Sequence, residues 1–291
     1  MLIFLKGLFW MTSIISKVLN FYKGQHFNDT ENMSERATDI VNLNVIEKFY
    51  PDLDRLLRTL KGKGVVEVGC GTGWLTGTMQ YHYEDLNITG LDASKEAANR
   101  SIQLFSEIKK LRSKFFIPTI VVADLFAIED VANANLIVSI GVLHHTKSTI
   151  DALNKLMDYS GVQYIYLGLY HKPSRQHFFD YIKSFGKKNS EKAFQSLFGL
   201  GRDVKHFEGW YHDQVNHVHE TQHTLEEMDL FFRDHGWKIT STSLNKFEEF
   251  DSANKSASEL DDDYSEYVKN QIYSNQRFMP GFFTMLVKKC N

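Results

Sequence analysis

The sequence predicts an α/β protein: a doubly wound, mostly parallel sheet with helices on both faces. Three observations carry that expectation. From Lys61 to about Tyr170, short apolar runs alternate with segments of helical periodicity. A glycine loop with Gly69, Gly71 and Gly73 leaves the first run directly. Acidic residues, Asp92 and Asp124, close the second and third runs.

The length of 291 residues allows one large or two small domains at about 150 residues each. Apolar residues make up 43% and charged ones 24%, enough for a sizeable core and too apolar for a disordered chain. With 33 basic against 36 acidic side chains the net charge is −3, which argues against a nucleic-acid binder of the usual basic kind. Two cysteines, Cys70 and Cys290, exclude a disulfide scaffold and a four-thiolate zinc site, and fit the cytoplasm. The 22 Phe and 13 Tyr against only 4 Pro point to an extra aromatic surface that covers something.

In chain order, residues 1–20 have no apolar run long enough to span a membrane and no cleavage site for a secretory signal. Drawn as one helix, they put Lys6, Ser13 and Lys17 opposite Phe4, Leu8, Met11, Ile15 and Val18. That apolar face suits packing on the domain or a homodimer partner. Weak contact with a membrane surface, helped by Trp10, stays open. Five β-rich runs follow: Val65–Val68, Asn87–Leu91, Phe116–Ala123, Leu136–Ile140 and Val162–Leu169. Between the second and third, Ile102, Phe105, Ile108 and Leu111 form the expected buried stripe of a helix.

The regular pattern then breaks at 171–223, a first insertion rich in aromatics, histidines and lysines. Thr224 to Glu227 is a capping box that opens a helix through His235, and Gly236 stops it. Trp237–Leu244 is β-rich, 245–280 is a second irregular insertion, and Gly281–Lys288 is a closing strand. The acidic run Asp261–Asp263 is expected to be a solvated face. The expected organisation is a segment 1–50, an amphipathic helix and flap, ahead of a single α/β domain over 51–291 that carries both insertions.

The glycine loop carries the functional signal. Glycine is needed where backbone turns sharply and lies against a ligand. A dinucleotide fingerprint would need a glycine at 74, where Trp74 stands and would crowd a pyrophosphate. Glu67, just before the loop, is a poor neighbour for phosphate and a good one for an ammonium group. Asp92 follows Gly73 by 19 residues, the place from which a carboxylate can accept two ribose hydroxyls.

With these elements in order, the chain resembles the class I S-adenosylmethionine-dependent methyltransferases, over about Leu53 to Leu169 and the last two strands. The resemblance implies a seven-stranded Rossmann-like sheet and S-adenosyl-L-methionine as cofactor, with S-adenosyl-L-homocysteine as product. It implies a cofactor site from Glu67, Gly69, Cys70, Gly71, Gly73, Trp74, Asp92, Ala93, Asp124, Leu125, Ile140 and Gly141. Asp124 would take the adenine amine. Val138 to Thr146 is similar to the family's fourth motif in enzymes acting on small molecules, and lacks the Asn-Pro-Pro-Tyr pattern of enzymes that methylate adenine or glutamine.

Methyl transfer is an in-line displacement in which positioning does most of the work, and a hydroxyl or ammonium acceptor also needs a base. The candidates are His145 and His144, with His219 and Glu220 from the first insertion. Tyr22, Gln25, Tyr170, Tyr211, His212, Gln214 and His217 are the candidates for holding the acceptor. Segment 21–27 would close as a flap over the cofactor. His219 to His223 spells a zinc-protease signature, but the capping box starts its helix only after the second histidine, so the turn that mechanism needs is missing. No metal is assigned, although His212, Asp213, His217 and His219 are ligand types. Cys70 serves as a small loop residue, not a nucleophile. The segment 172–188 interleaves Lys172, Arg175 and His177 with Phe178, Phe179 and Phe185. It reads as a cover with Phe178, Phe185 and Phe194 turned inward. The expected function is methyl transfer to a small molecule beneath that cover. RNA or protein methylation, and a cofactor-binding partner subunit without activity, stand as alternatives.

Overall fold

Glu67 is the one polar residue of the first parallel strand, and every residue from Gly64 to Val68 is buried, the pattern of a strand covered on both faces. The computed structural model describes residues 3–5, 13–24, 26–27, 29–131, 133–186, 188–199, 203–252, 254–273 and 281–290. Its central sheet has seven strands. They are β2 (Gly64–Val68), β3 (Asn87–Asp92), β4 (Thr119–Val122), β6 (Ala134–Ile140), β7 (Tyr164–Tyr170), β8 (Trp237–Thr242) and β9 (Phe282–Lys289). Their order is β4-β3-β2-β6-β7-β9-β8, parallel except where β9 pairs antiparallel with β7 and β8. β2 has β3 on one side and β6 on the other, so the crossovers diverge there and open a crevice at the C-terminal strand ends.

Both faces of the sheet are covered. On one, α3 (Val45–Phe49), α4 (Pro51–Thr59) and α5 (Trp74–His82) bury Ile46, Leu53, Leu57, Leu75 and Met79. On the other, α7 (Thr149–Met157), α11 (Leu225–Asp234) and α12 (Ala257–Tyr273) bury Leu153, Leu156, Phe232 and Leu260. α2 (Met33–Asn42) packs on α6 (Lys95–Leu111), and α8 (Lys172–Ser184), α9 (Ser190–Phe198) and α10 (Val204–Asn216) enclose a separate aromatic core.

Several expectations are corrected. The N-terminal segment is not one helix: β1 (Ile3–Leu5) pairs antiparallel with β5 (Ile128–Val131), and among the described residues α1 spans Ser13–Phe21. Lys6, Leu8, Trp10 and Met11 lie outside the described residues. The third run shortens because pairing with β3 starts at Thr119, leaving Phe116 and Ile117 exposed. In α6, Ile102 and Leu111 are half exposed, and the buried face runs instead through Ala97, Ala98, Ser101, Leu104, Phe105 and Ile108. A strict three-residue step rotates by about 60° per step against the helix repeat, so the two ends of that stripe finish on opposite sides.

Both insertions are largely helical. The first holds α8, α9 and α10; the second holds the 17-residue α12. Phe178 and Phe194 are fully buried, but in the core of the insertion and not on the cavity, while Phe185 is 42% exposed. Arg175 is fully buried, which breaks up the basic and aromatic surface that RNA contact would need. Among the described residues no helix is long and apolar enough to cross a membrane.

Asp261 is not a solvated acid. It is buried, its Oδ1 accepts from His171 Nε2 at 2.8 Å and from the Leu225 N–H at 2.7 Å, and its Oδ2 accepts from the Glu226 N–H at 3.0 Å. It thus fastens α12 to the N-terminus of α11 and the end of β7, where a negative charge is favoured. Asp261→Ala should lower the unfolding free energy in urea by about 2–4 kcal/mol, because three donors, two of them buried, lose their acceptor. A loss under about 0.5 kcal/mol, the scale of a surface substitution, would contradict this.

Candidate active site

The loops after β2, β3, β4 and β6 meet at one cavity of about 650 Å³. Its first wall is the glycine loop. Gly69 and Gly71 have φ of +75° and +53°, and Gly69 also abuts Val142 so closely that a Cβ would collide with it. Around Gly71 a Cβ would meet nothing within 4 Å, so that backbone faces open space. The Gly71 N–H donates to Asp92 Oδ2 at 2.8 Å, and the Ser94 N–H to Oδ1 at 2.7 Å, which fixes the carboxylate at the cavity edge. Burial pushes the Asp92 carboxyl up and those two N–H groups oppose it.

Glu67 is buried at the end of β2, accepts from the Thr76 hydroxyl, and is pushed up to about 8 by burial. A cation brought beside it would restore the ionised form. Asp124 caps the short turn Leu125–Ala127 through the Phe126 N–H at 2.9 Å, and its Oδ2 is buried without a partner. An orphaned carboxylate oxygen on a cavity wall is a ready acceptor for an amine. Cys70, Trp74, Ala93, Leu125, Ile140 and Gly141 also line the space. Gly73 does not; it packs against Ser101. The Cys70 thiol is pushed well up by burial and gains no activation. The residues present fit a nucleoside with an ammonium-bearing arm: a hydroxyl-binding acid, an orphaned acceptor, an open loop backbone and a buried carboxyl.

The second wall comes from α1, the turn after it, α10 and the ends of β7 and β9. Ile15, Val18, Leu19, Tyr22, Phe27, Trp210 and Phe282 line it. Its polar centre is Asp213, buried on α10. The carboxylate accepts from the Tyr22 hydroxyl, from Gln214 Nε2 at 2.6 Å and from the Tyr170 hydroxyl at 3.4 Å. Burial pushes its carboxyl up, against the Tyr22 hydrogen bond. Beside it His145 stacks on His217 with ring centroids 3.5 Å apart, and a ring nitrogen of each lies within 4.8 Å of the other and of an Asp213 oxygen. His145 Nδ1 donates to the His219 carbonyl at 2.9 Å, so the neutral ring keeps its lone pair on Nε2, which is buried without a partner. His217 Nδ1 accepts from the His219 N–H at 3.1 Å, which leaves the hydrogen on Nε2. The two stacked rings therefore offer one acceptor and one donor, and their planes do not converge on one point as a metal would require.

The remaining candidates are committed elsewhere. His144 is fully buried against Tyr170 and does not line the cavity, with both ring nitrogens unpartnered. His219 braces the loop through Thr146, with Nε2 2.9 Å from its carbonyl. Glu220 pairs with buried Arg175, Nη2 to Oε2 at 2.9 Å, so it is not free to take a proton from an acceptor. Tyr211 bonds Ser190 at 2.7 Å and His212 stacks on Phe21 at 3.8 Å, both away from the cavity. Tyr22, Tyr170 and Gln214 do line it, and Gln25 lies outside the described residues. The guanidinium of Arg36, 5.9 Å from the Trp74 ring centroid, was not singled out by sequence; Asp213 stood there only as a metal-ligand type within the polar run 210–223, without a partner to mark its place on the wall.

Residues 66–159 match the family described as a methyltransferase domain. No curated protein matches the chain by sequence. Among solved structures, PKMT2 from Rickettsia typhi is 14% identical, with 82% of this chain and 52% of that one covered at a TM-score of 0.54. The plantazolicin methyltransferase BpumL in complex with SAH is 15% identical, covering 96% and 91%, with a TM-score of 0.48. Magnesium protoporphyrin IX methyltransferase (ChlM) from Synechocystis PCC 6803 with bound SAM is 12% identical, covering 97% and 86%, with a TM-score of 0.45.

Burial lowers His145 to about 3, below its ordinary value near 6.5, so folding opposes its protonation. Stability is therefore full at neutral pH and falls as pH drops from 6.5 toward 3, by about 2 kcal/mol between pH 7 and pH 5 for this group alone. His145→Gln should shrink the difference between urea unfolding free energies at pH 7 and pH 5 by about that amount. An unchanged difference would contradict the burial of a neutral imidazole here.

Proposed function

We propose that this chain, whose residues 66–159 match a methyltransferase domain, is a class I S-adenosylmethionine-dependent methyltransferase that methylates a small molecule held inside its own cavity. The observation that carries the reading is the continuity of that cavity: one space of about 650 Å³ joins the glycine loop, Asp92 and Asp124 to Tyr22, Tyr170, Asp213 and His145. Cofactor and acceptor would share one largely apolar chamber of the size used for small ligands.

S-adenosylmethionine supplies a methyl group on a positively charged sulfur, ready for in-line transfer. Asp92, already aligned by two backbone N–H groups, would accept the ribose hydroxyls, and Asp124 Oδ2 would accept the adenine amine. Glu67 would face the ammonium of the methionine arm, with the Gly71 backbone against the ligand. Segment 13–27 and α10 would exclude water, since Tyr22 and Phe27 come from the first and Trp210 and Asp213 from the second. His145 would handle the acceptor, Glu220 and His219 would position it indirectly, and residues 1–50 would act as the flap. Macromolecular methylation finds less support, because the enclosing helices leave Arg175 and Phe178 buried.

Asp92→Ala should weaken S-adenosylhomocysteine binding by about 1.5–3 kcal/mol in calorimetry, roughly 10- to 150-fold, the scale of hydrogen bonds to a charged group. Unchanged affinity would mean that the site is misplaced. Incubation of the protein with S-adenosylmethionine and a fractionated metabolite extract should release S-adenosylhomocysteine with a small-molecule fraction. Tight cofactor binding with no turnover in any such fraction would favour a partner subunit without activity.

A further inference from the structure

We propose that the methyl acceptor is an amine with a flat apolar body, its nitrogen held between Asp213 and His145. The proposal rests on the methyltransferase reading and names the substrate class of that site. Among the described residues that line the acceptor end, the spare hydrogen-bond capacity is for accepting; a spare donor nearby, His217 Nε2–H, belongs to a ring that does not line the cavity. His145 Nε2 is buried and unpartnered, and its lone pair is fixed there because Nδ1 donates to the His219 carbonyl. Asp213 Oδ1 has one recorded donor, the Tyr22 hydroxyl, and so keeps room for another. A ring nitrogen of His145 and an Asp213 oxygen lie within 4.8 Å of each other. Two N–H bonds of one tetrahedral nitrogen can span acceptors up to about 4.7 Å apart at ordinary hydrogen-bond lengths, so a single nitrogen can serve a pair held this close. A hydroxyl has one hydrogen and can satisfy only one of the two; a carboxylate has none.

Charge points the same way. Among the described residues the cavity lining carries four carboxyl groups, Glu67, Asp92, Asp124 and Asp213, against one guanidinium, Arg36, which lies over Trp74 at the cofactor end. Arg175, whose guanidinium lies over the Tyr170 ring, is already paired with Glu220. An anionic acceptor would meet uncompensated negative charge, whereas an ammonium would meet Asp213 directly. The rings of Tyr22, Tyr170, Trp210 and Phe282 provide the surface for the apolar body.

In the transfer, an ammonium acceptor first gives one proton to the Asp213 carboxylate or to His145 Nε2 and thence to solvent. The freed nitrogen lone pair forms the bond to the methyl carbon as the carbon–sulfur bond breaks and its pair goes to sulfur. The products are a methylated ammonium, the neutral thioether and one released proton.

The test uses the full chain with S-adenosylmethionine and three matched indoles: tryptamine, tryptophol and indole-3-propionate, with 2-phenylethylamine and octylamine as further amines. Tryptamine or another amine should gain one methyl group by mass spectrometry, at least about 10-fold faster than the alcohol or acid, the discrimination expected when a buried acceptor is left unpaired. Asp213→Asn should cut that turnover by about 100-fold or more while S-adenosylhomocysteine affinity stays within about 3-fold. Faster turnover of tryptophol or indole-3-propionate would overturn the proposal, as would failure of every amine to react or to bind the protein saturated with S-adenosylhomocysteine. Calorimetry with S-adenosylhomocysteine separates the two levels. Intact cofactor binding with amine failure removes only the acceptor assignment; loss of cofactor binding in the wild-type protein removes the methyltransferase reading itself. The wild-type comparison needs no variant, so misfolding of D213N leaves the test intact.

Discussion

A carboxylate buried away from water must find donors, and Asp213 finds them in three parts of the chain. Tyr22 comes from the turn after the first helix, Tyr170 from the end of a central strand and Gln214 from the neighbouring position on α10. Satisfying that one acid therefore draws the N-terminal segment, 191 residues away in sequence, across the mouth of the sheet crevice. Arg175 completes the arrangement: it donates to the Gln214 carbonyl at 2.9 Å, pairs with Glu220, and lies 3.9 Å from the centre of the Tyr170 ring. The cover is consequently not laid over the domain by apolar contact alone. It is pinned by a polar network whose members would each be costly to leave unpaired.

The two ends of the cavity are built on different physical principles. At the glycine loop, backbone geometry does the work: positive φ, close approach to Val142 and two N–H groups on Asp92 leave little freedom. At the other end, side chains from separate elements converge, and their positions depend on one another. A rigid cofactor platform facing a networked acceptor wall suits a reaction in which alignment supplies most of the rate. It also explains why Glu220 and His219 serve as braces. His219 holds His145, which reaches the cavity, and Glu220 holds Arg175, which in turn bonds Gln214 of the lining; neither reaches the cavity itself.

The platform was legible in the sequence and the wall only in part: Tyr22, Tyr170, Gln214 and His145 were named, but not the network that joins them. Parallel strands covered on both faces read as apolar runs, and the glycine loop with acids at the next strand ends is set by topology, so β2, β3, β6 and β7 and the residues around Asp92 could be placed. β1 and β5 were missed because each is short and is a strand only by virtue of the other. Asp261 looked like one of three solvated acids, and Glu220 like part of a zinc signature. Their roles come from His171, the α11 N-terminus and Arg175, partners distant in sequence. Asp213 read only as a metal-ligand type for the same reason: a carboxylate in a polar run does not show its place until the tyrosine that binds it is known.

The most direct measurement is a crystal structure of the protein with S-adenosylhomocysteine. The account predicts the ribose hydroxyls on Asp92, the adenine amine on Asp124 Oδ2, and the sulfur facing the space between Tyr22, Tyr170 and Asp213. A ligand bound elsewhere, or one whose sulfur turns away from Asp213, would contradict it.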